Sequence, residues 1–472
     1  MKGTLGWLAW LTLLVAGLLS SSLAEDPHGL SAVPLNVQSS PSGIPSGSEE
    51  AHPAADNSAA VATSDRQDEH RAPILGADLL FQVWPHVLIE GWRDKEKGKA
   101  MVQAFKSAGL RSLRFGFLGY YSPVGPEATA RVKAENKIEN DYPWFPFGLY
   151  ADFVAAEDFT TVVAVNVEEG PDVAAGVVNE FAKRGISSKL VAIELSNEPH
   201  LNKRPWLPEE YASRAAAVIE RLTPLGVRLA LPLTVGRERH TPTRLSDDEW
   251  NGRMLKALSS SVDLKNRSDI YGVMHLYSRG VGAGVLTVFS QQAKLFVPHM
   301  RYLVTEFNIR SSLKGNPHLT NRYGMELARR LAGLMADPDI EAMYIHAVPY
   351  HSILYWSDGK QTATVIDHSD PKLSGEDMSA GWHLTPAGRV YQLYSTLAWN
   401  GRVVDFHGGD KQEYWAVRSD EGTIVVTLLN DSDSQVEKEI KLAGVKLKIS
   451  APARSIVCWD QSGRELARLV LR

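Results

Sequence analysis

The chain has 472 residues, is 44% hydrophobic and 22% charged, and carries a formal net charge of −5. That length accommodates one large domain and a smaller one, and the composition is that of an ordinary globular protein. The mild acidity gives no electrostatic footprint for nucleic acid, and the single cysteine, Cys458, excludes an intrachain disulfide and is a poor start for a thiolate metal site.

The N-terminus reads as a targeting signal. Lys2 precedes an uncharged, leucine-rich run from Leu5 to Leu19, and Ser22-Leu23-Ala24 presents small residues for cleavage. The run is shorter than the roughly 20 residues of a membrane-spanning helix. A cleaved signal peptide over residues 1–24 is therefore expected, and with it an exported protein, periplasmic or extracellular, that keeps no stable membrane insertion. Residues 25–72 are rich in Ser, Pro, Ala and Gly and cannot bury enough apolar surface to offset ordering entropy, so they read as a disordered linker.

From Pro73 short apolar runs alternate with helical periodicity. The expected strands are Ile74–Trp84, Ser112–Phe117, Thr160–Val167, the run from Val191 that ends in Asn197-Glu198-Pro199, Val227–Leu233, Ile270–Tyr277, Arg301–Asn308 and Ala342–Val348. Helices are expected between them at Lys97–Ala108, Gly148–Ala156, Pro171–Arg184, Pro208–Leu222, Asp248–Leu258, Val285–Leu295 and Leu319–Met335, with another at Thr385–Leu397. Eight strands alternating with helices predict an α/β fold of the (β/α)8 TIM barrel type over residues 73–400. A doubly wound sheet would want a Gly-x-Gly-x-x-Gly turn after its first strand, and none is present. A polar and aromatic loop, Gly119–Phe147, carries Tyr120, Tyr121, Tyr142, Trp144 and Phe145, suited either to a sugar cleft or to a hydrophobic plug. Beyond Gly401 the runs Glu413–Arg418, Thr423–Leu429, Val436–Leu442, Val445–Ile449 and Ser455–Trp459 predict a small antiparallel β domain of sandwich type over 401–472. Its Trp415 and Trp459 read as core or barrel contacts, with sugar binding as the alternative.

Two of the barrel strands end in a glutamate, Glu198 and Glu306. A carboxyl at the end of a buried apolar strand is costly unless it is used. In a barrel the C-terminal strand ends face the site built by the βα loops, and two carboxyls meeting there are the minimum equipment of glycoside hydrolysis.

With both strand ends placed, the chain resembles the retaining glycoside hydrolases of clan A, through Asn197-Glu198-Pro199 on the fourth strand and Thr305-Glu306-Phe307-Asn308 on the seventh. The small β domain after the barrel is most similar to family 39, with families 51, 79 and 30 as near alternatives. The resemblance implies that Glu198 is the acid/base and Glu306 the nucleophile, with no metal and no cofactor. It further implies that Arg114 and the His275-x-Tyr277 pair support the nucleophile and that Trp356 forms a floor beneath the sugar. Asn197 would contact the sugar hydroxyl next to the anomeric carbon. Asn166 either lines the pocket or forms a turn. Glu194 shares a strand face with Glu198 and is either a third pocket carboxylate or the ion-pair partner of a barrel arginine. The expected activity is hydrolysis of O-glycosidic bonds in a polysaccharide or oligosaccharide. A transglycosylase using the same residues, or a non-catalytic carbohydrate-binding barrel, are the other possibilities.

Overall fold

The computed structural model describes residues 69–79, 92, 96–115, 147–200, 206–235, 245–277, 291–309, 320–348, 353–357, 363–364, 381–408, 412–442 and 445–471. Eight strands close a barrel in sequential order: β1 (Ile74–Leu79), β2 (Ser112–Phe115), β3 (Thr160–Val165), β4 (Leu190–Leu195), β5 (Leu229–Pro232), β6 (Ile270–Leu276), β7 (Tyr302–Phe307) and β8 (Ile340–Val348). Every pairing is parallel, and β8 returns to pair with β1. The strands are runs of branched and small apolar residues because both faces are covered. One face fills the barrel with Val162, Ala192, Ala230, Val273, Leu303 and Ala342. The other packs under the helices as part of the main core, with Ile193, Leu229 and Val304 among its members.

Room inside the barrel is made locally. A Cβ on Gly76 would come within 2.6 Å of both Ser112 O and the Tyr344 ring, so glycine there lets the tyrosine lie across the interior. Tyr344 and Ser112 are then linked through their hydroxyls at 3.0 Å.

The helices follow their patterns. Pro208–Leu222 buries Tyr211, Ala215, Val218, Ile219 and Leu222, the face expected from the 3.6-residue period. Asn321–Met335 begins at Thr320, whose hydroxyl accepts from Tyr323 N at 3.2 Å. Asp247–Ser259 begins in the same way at Ser246, whose hydroxyl accepts from Glu249 N at 3.2 Å.

After the barrel, a six-stranded antiparallel sheet runs in the order His70–Arg71, Arg402–His407, Gln412–Arg418, Ile424–Asn430, Ser455–Asp460, Glu465–Val470. The hairpin Val436–Leu442 and Val445–Ala451 covers one face of it, with Val426, Leu428, Ile440, Ile449 and Val457 between the layers. On the opposite face Trp415 joins the barrel core, its ring 4.9 Å from that of Tyr394 in an edge-on contact. Trp459 packs on the inner layer, and Cys458 is a buried free thiol.

Four segments depart from the sequence reading. His70–Arg71, assigned by composition to the linker, pair with Val403 and Arg402. Arg402–His407 and Glu465–Val470 are additional strands. The stretch after β8, to which the sequence reading assigned no element, holds the short sheet Leu354–Ser357, Ala363–Thr364 and Gly381–Leu384. The N-terminal segment 1–68, the aromatic loop residues Tyr120, Tyr121, Tyr142, Trp144 and Phe145, and most of the helix expected before β7 lie outside the described residues. Among the described residues, no helix is long and apolar enough to cross a membrane.

Candidate active site

Strand register assembles the site. Asp78 on β1 is the direct partner of Arg114 on β2 and, on its other side, of His346 on β8. His275 on β6 is paired with Glu306 on β7. Register shifts occur between Asp78 and Leu79, between Met274 and His275, and between Val304 and Phe307, each at or beside one of these residues. Such bulges turn a side chain out of the regular alternation, here at the barrel mouth.

The end of β4 is bent differently. Ser196 and Glu198 both adopt positive φ, 78° and 41°. Left-handed backbone at a non-glycine residue costs about 1–3 kcal/mol and persists only where its surroundings enforce it. The enforcing contacts are present: Ser196 N donates to Val165 O at 2.7 Å, and Val167 N donates to Ser196 Oγ at 3.1 Å. Pro199 also biases Glu198 away from the right-handed helical region. The strand therefore stops sharply and presents Glu198 at the mouth.

Arg114 is the hub. Its side chain is 1% exposed and meets three carboxylates. Nε and Nη2 donate to Glu194 at 2.8 and 2.6 Å in a two-pronged pair, and Nη1 donates to Asp78 at 3.0 Å and to Glu306 at 2.7 Å. Nη2 also donates to Asn197 Oδ1 at 2.5 Å. Burial works against the guanidinium charge, but Glu194, Asp78 and Glu306 outweigh it, so Arg114 holds its proton more tightly than usual.

Glu306 is gripped at both oxygens, with Oε1 on Arg114 and Oε2 accepting from the Tyr277 hydroxyl. Burial alone would favour its protonated form. The charges of His275, Arg114 and His346, with the Tyr277 hydrogen bond, overcome that and hold the carboxyl well below its ordinary range. Tyr277 is moved the opposite way, since burial and the Glu306 charge keep its phenol protonated and donating.

His275 lies between the two glutamates. Its Nδ1 is 3.1 Å from Glu198 Oε1 and 3.4 Å from Glu306 Oε2, while Nε2 is 3.1 Å from Thr305 Oγ1. Burial opposes the imidazolium, and the Glu306 charge and the Glu198 contact raise it nonetheless. One oxygen of each glutamate is therefore no farther from the other than those two contacts laid end to end. That limit lies at the bottom of the roughly 6.5–9.5 Å carboxyl separation of inverting glycosidases and admits the ~5–5.5 Å of retaining ones. The Glu198 side chain is the more open, at 23% against 10% for Glu306. Beside it a pocket is lined by Glu198, His200, Leu233, Val235, Val273 and His275, among others.

Of the residues singled out in the sequence, Glu198, Glu306, Arg114, Asn197, His275 and Tyr277 meet in this one cluster. Asn166 does not join it: its side chain accepts from Glu168 N at 3.0 Å and starts a short turn after β3. Trp356 lies on the strand Leu354–Ser357 opposite Trp382, and its side chain is outside the described residues. Glu194 is fully buried as the arginine's two-pronged partner.

Two site residues escaped the sequence reading, Asp78 and His346, whose Oδ2 and Nδ1 are 2.6 Å apart. The available signal was an ionisable residue within an apolar run: Asp78, the one charged residue of Ile74–Leu79, and His346 in Ile340–Val348, which also holds Glu341. Asp78, Glu306 and His346 each bring one ligand-type atom within 4.8 Å of the others. Because Arg114 Nη1 is already bonded to both carboxylates there, the cation of this arrangement is the guanidinium rather than a metal ion.

No protein-family model and no curated protein matches the chain. In three dimensions it is similar to SrfJ from Salmonella typhimurium, with a TM-score of 0.52 and 11% identity over 82% of this chain and 88% of that one. It is similar to an endo-β1,6-glucanase at a TM-score of 0.50 and 11% identity, covering 83% and 90%. The catalytic domain of GH30 xylanase C from Talaromyces cellulolyticus gives 0.50 and 12%, covering 83% and 98%. At these identities the likeness establishes the fold, a (β/α)8 barrel followed by a small β domain. The xylanase belongs to one of the families to which the sequence resemblance pointed.

Proposed function

We propose that this protein is an exported retaining glycoside hydrolase of the clan A kind, with Glu306 as nucleophile and Glu198 as acid/base. The observation that carries the reading is the state of Glu306: a carboxylate at a barrel strand end, kept ionised by Arg114 and oriented by Tyr277, with Glu198 across a single imidazole.

Glu306 attacks the anomeric carbon as the glycosidic C–O bond breaks, and Glu198 transfers its proton to the leaving oxygen. Water then attacks the glycosyl ester while Glu198 takes back a proton. Between these stages the negative charge passes from Glu306 to Glu198. His275 Nδ1 stands within ion-pair distance of both, so its cation serves either stage without moving. Asn197 accepts from Arg114 through Oδ1, which turns its amide N–H groups away from the arginine and makes them available to a sugar hydroxyl. Such a contact strengthens as the transition state forms. The greater openness of Glu198 suits the residue that must meet both leaving group and water.

Export follows from the N-terminal pattern of Lys2, Leu5–Leu19 and Ser22-Leu23-Ala24. The substrate is then a polysaccharide or oligosaccharide outside the cytoplasm. A panel of aryl glycosides and polysaccharides tests the assignment. Glu306→Gln is expected to abolish turnover of every substrate that the wild type cleaves, and surviving turnover would overturn it. Product masses on an active polysaccharide separate transfer to water from transfer to a second sugar.

A further inference from the structure

Arg114 compensates too little charge. It serves Asp78, Glu194 and Glu306, and its Nη1 is shared by Asp78 and Glu306. Two carboxylates converging on one nitrogen repel each other, and in a buried site that repulsion either raises one carboxyl's proton affinity or turns it away. His346 stands at the place where this matters. Its Nδ1 is 2.6 Å from Asp78 Oδ2 and 3.8 Å from Glu306 Oε2. Its ring also packs edge-on to Tyr277, the hydrogen-bond donor to Glu306, with centroids 5.7 Å apart.

We propose that Asp78 and His346 form a positioning pair for Glu306, in which the His346 imidazolium is the charge that allows Asp78 and the nucleophile to share Arg114. This rests on the retaining reading above and extends it to two residues that the reading does not use. Among the described residues, the charged and titratable groups facing His346 include Asp78 from β1, Arg114 from β2, Tyr277 beyond β6 and Glu306 from β7. Burial opposes its protonation, while the bond to Asp78 and the Glu306 charge raise its proton affinity above that of an ordinary histidine.

The pair also has a part in turnover. When Glu306 becomes a glycosyl ester it loses its charge, and His346 loses one of its two anions. Its proton affinity then falls, and it rises again when hydrolysis restores the carboxylate. Above the pH at which His346 gives up its proton, Asp78 and Glu306 are left on one guanidinium nitrogen, and kcat falls.

A charge-compensation cycle tests this. His346→Asn keeps an amide near Asp78 without charge and is expected to lower kcat about tenfold or more, with KM within about threefold. Adding Asp78→Asn removes the uncompensated carboxylate, so the Asp78→Asn/His346→Asn double variant is expected to return to within about threefold of wild-type kcat. A merely structural pair predicts a double variant no better than the worse single one, and that result overturns the proposal. If a variant does not fold, imidazole titration by NMR decides independently of activity. The His346 midpoint should lie above about 6.5 in the wild-type protein and fall in Glu306→Gln. A midpoint that Glu306→Gln leaves unmoved overturns the proposal. Failure of the nucleophile assignment itself appears elsewhere, as hydrolysis that survives Glu306→Gln.

Discussion

Replacing Arg114 by methionine tests how the barrel tolerates its buried charge. Methionine fills much of the same volume but leaves Asp78, Glu194 and Glu306 without their shared donor. Removing one partner of a buried ion pair costs about 3–5 kcal/mol, and here one side chain serves three partners, so a loss of at least that size is expected. For a domain this large each kcal/mol lowers Tm by about 2–4 °C, which gives a fall of roughly 6–20 °C at pH 7. The pH dependence has a definite sign. In the wild type the Glu306 value is depressed, so its stabilising contribution is present above the unfolded-state pKa of about 4.3 and is lost as pH falls through the folded value. Without Arg114 that depression shrinks, so the gap between variant and wild type narrows as pH falls below about 4.3. Scanning calorimetry of both proteins at pH 7 and pH 4 reads both effects. A loss under about 1 kcal/mol would refute the account of Arg114 as the shared ion-pair partner of the three buried carboxylates, as would a gap equal at the two pH values.

Other consequences are read by kinetics and calorimetry. Tyr277→Phe removes the hydroxyl that donates to Glu306 Oε2, so the acid limb of kcat/KM should move to higher pH; an unmoved limb would contradict that hydrogen bond. Glu198→Ala should lower kcat/KM by about 10²–10⁴ for substrates with poor leaving groups and far less for activated aryl glycosides. An equal loss on both would remove it from the acid role. Burial lifts Glu413 to about 8, so between its unfolded value and about 8 it costs stability as pH rises. Glu413→Gln should accordingly raise Tm at pH 8 and change it little at pH 4, and a variant no more stable at pH 8 would refute the assignment.

The parts of the site legible in the sequence were those that announce themselves locally. Glu198 and Glu306 each end an apolar run, and Arg114, His275 and Tyr277 followed from the resemblance that those two glutamates carry. Strand order in a sequentially wound barrel follows chain order, so their convergence could be inferred without coordinates. Asp78 and His346 were not legible in that way. They are 268 positions apart and meet only because β8 closes on β1, with a register shift at Asp78 that no local pattern encodes. Asn166, which its strand-end position left open between a pocket role and a turn, serves the turn. In the β domain, the Arg402–His407 strand is broken by a shift between Val403 and Asp405, which destroys the two-residue alternation. The strand Glu465–Val470 alternates half-buried and exposed residues at the sheet edge and carries too little apolar contrast to stand out. His70–Arg71 is too short to carry any period and exists through its pairing with Arg402 and Val403.

In the proposed mechanism Glu306 forms the covalent bond to the sugar. A 2-deoxy-2-fluoro analogue of whichever aryl glycoside the enzyme cleaves slows release of the glycosyl-enzyme, so intact-protein and peptide mass measurement reads the adduct directly. One fluoroglycosyl group per chain is expected, on the peptide containing Glu306 and lost in Glu306→Gln. An adduct on Glu198 or any other residue would contradict it, as would turnover whose first product has the inverted anomeric configuration.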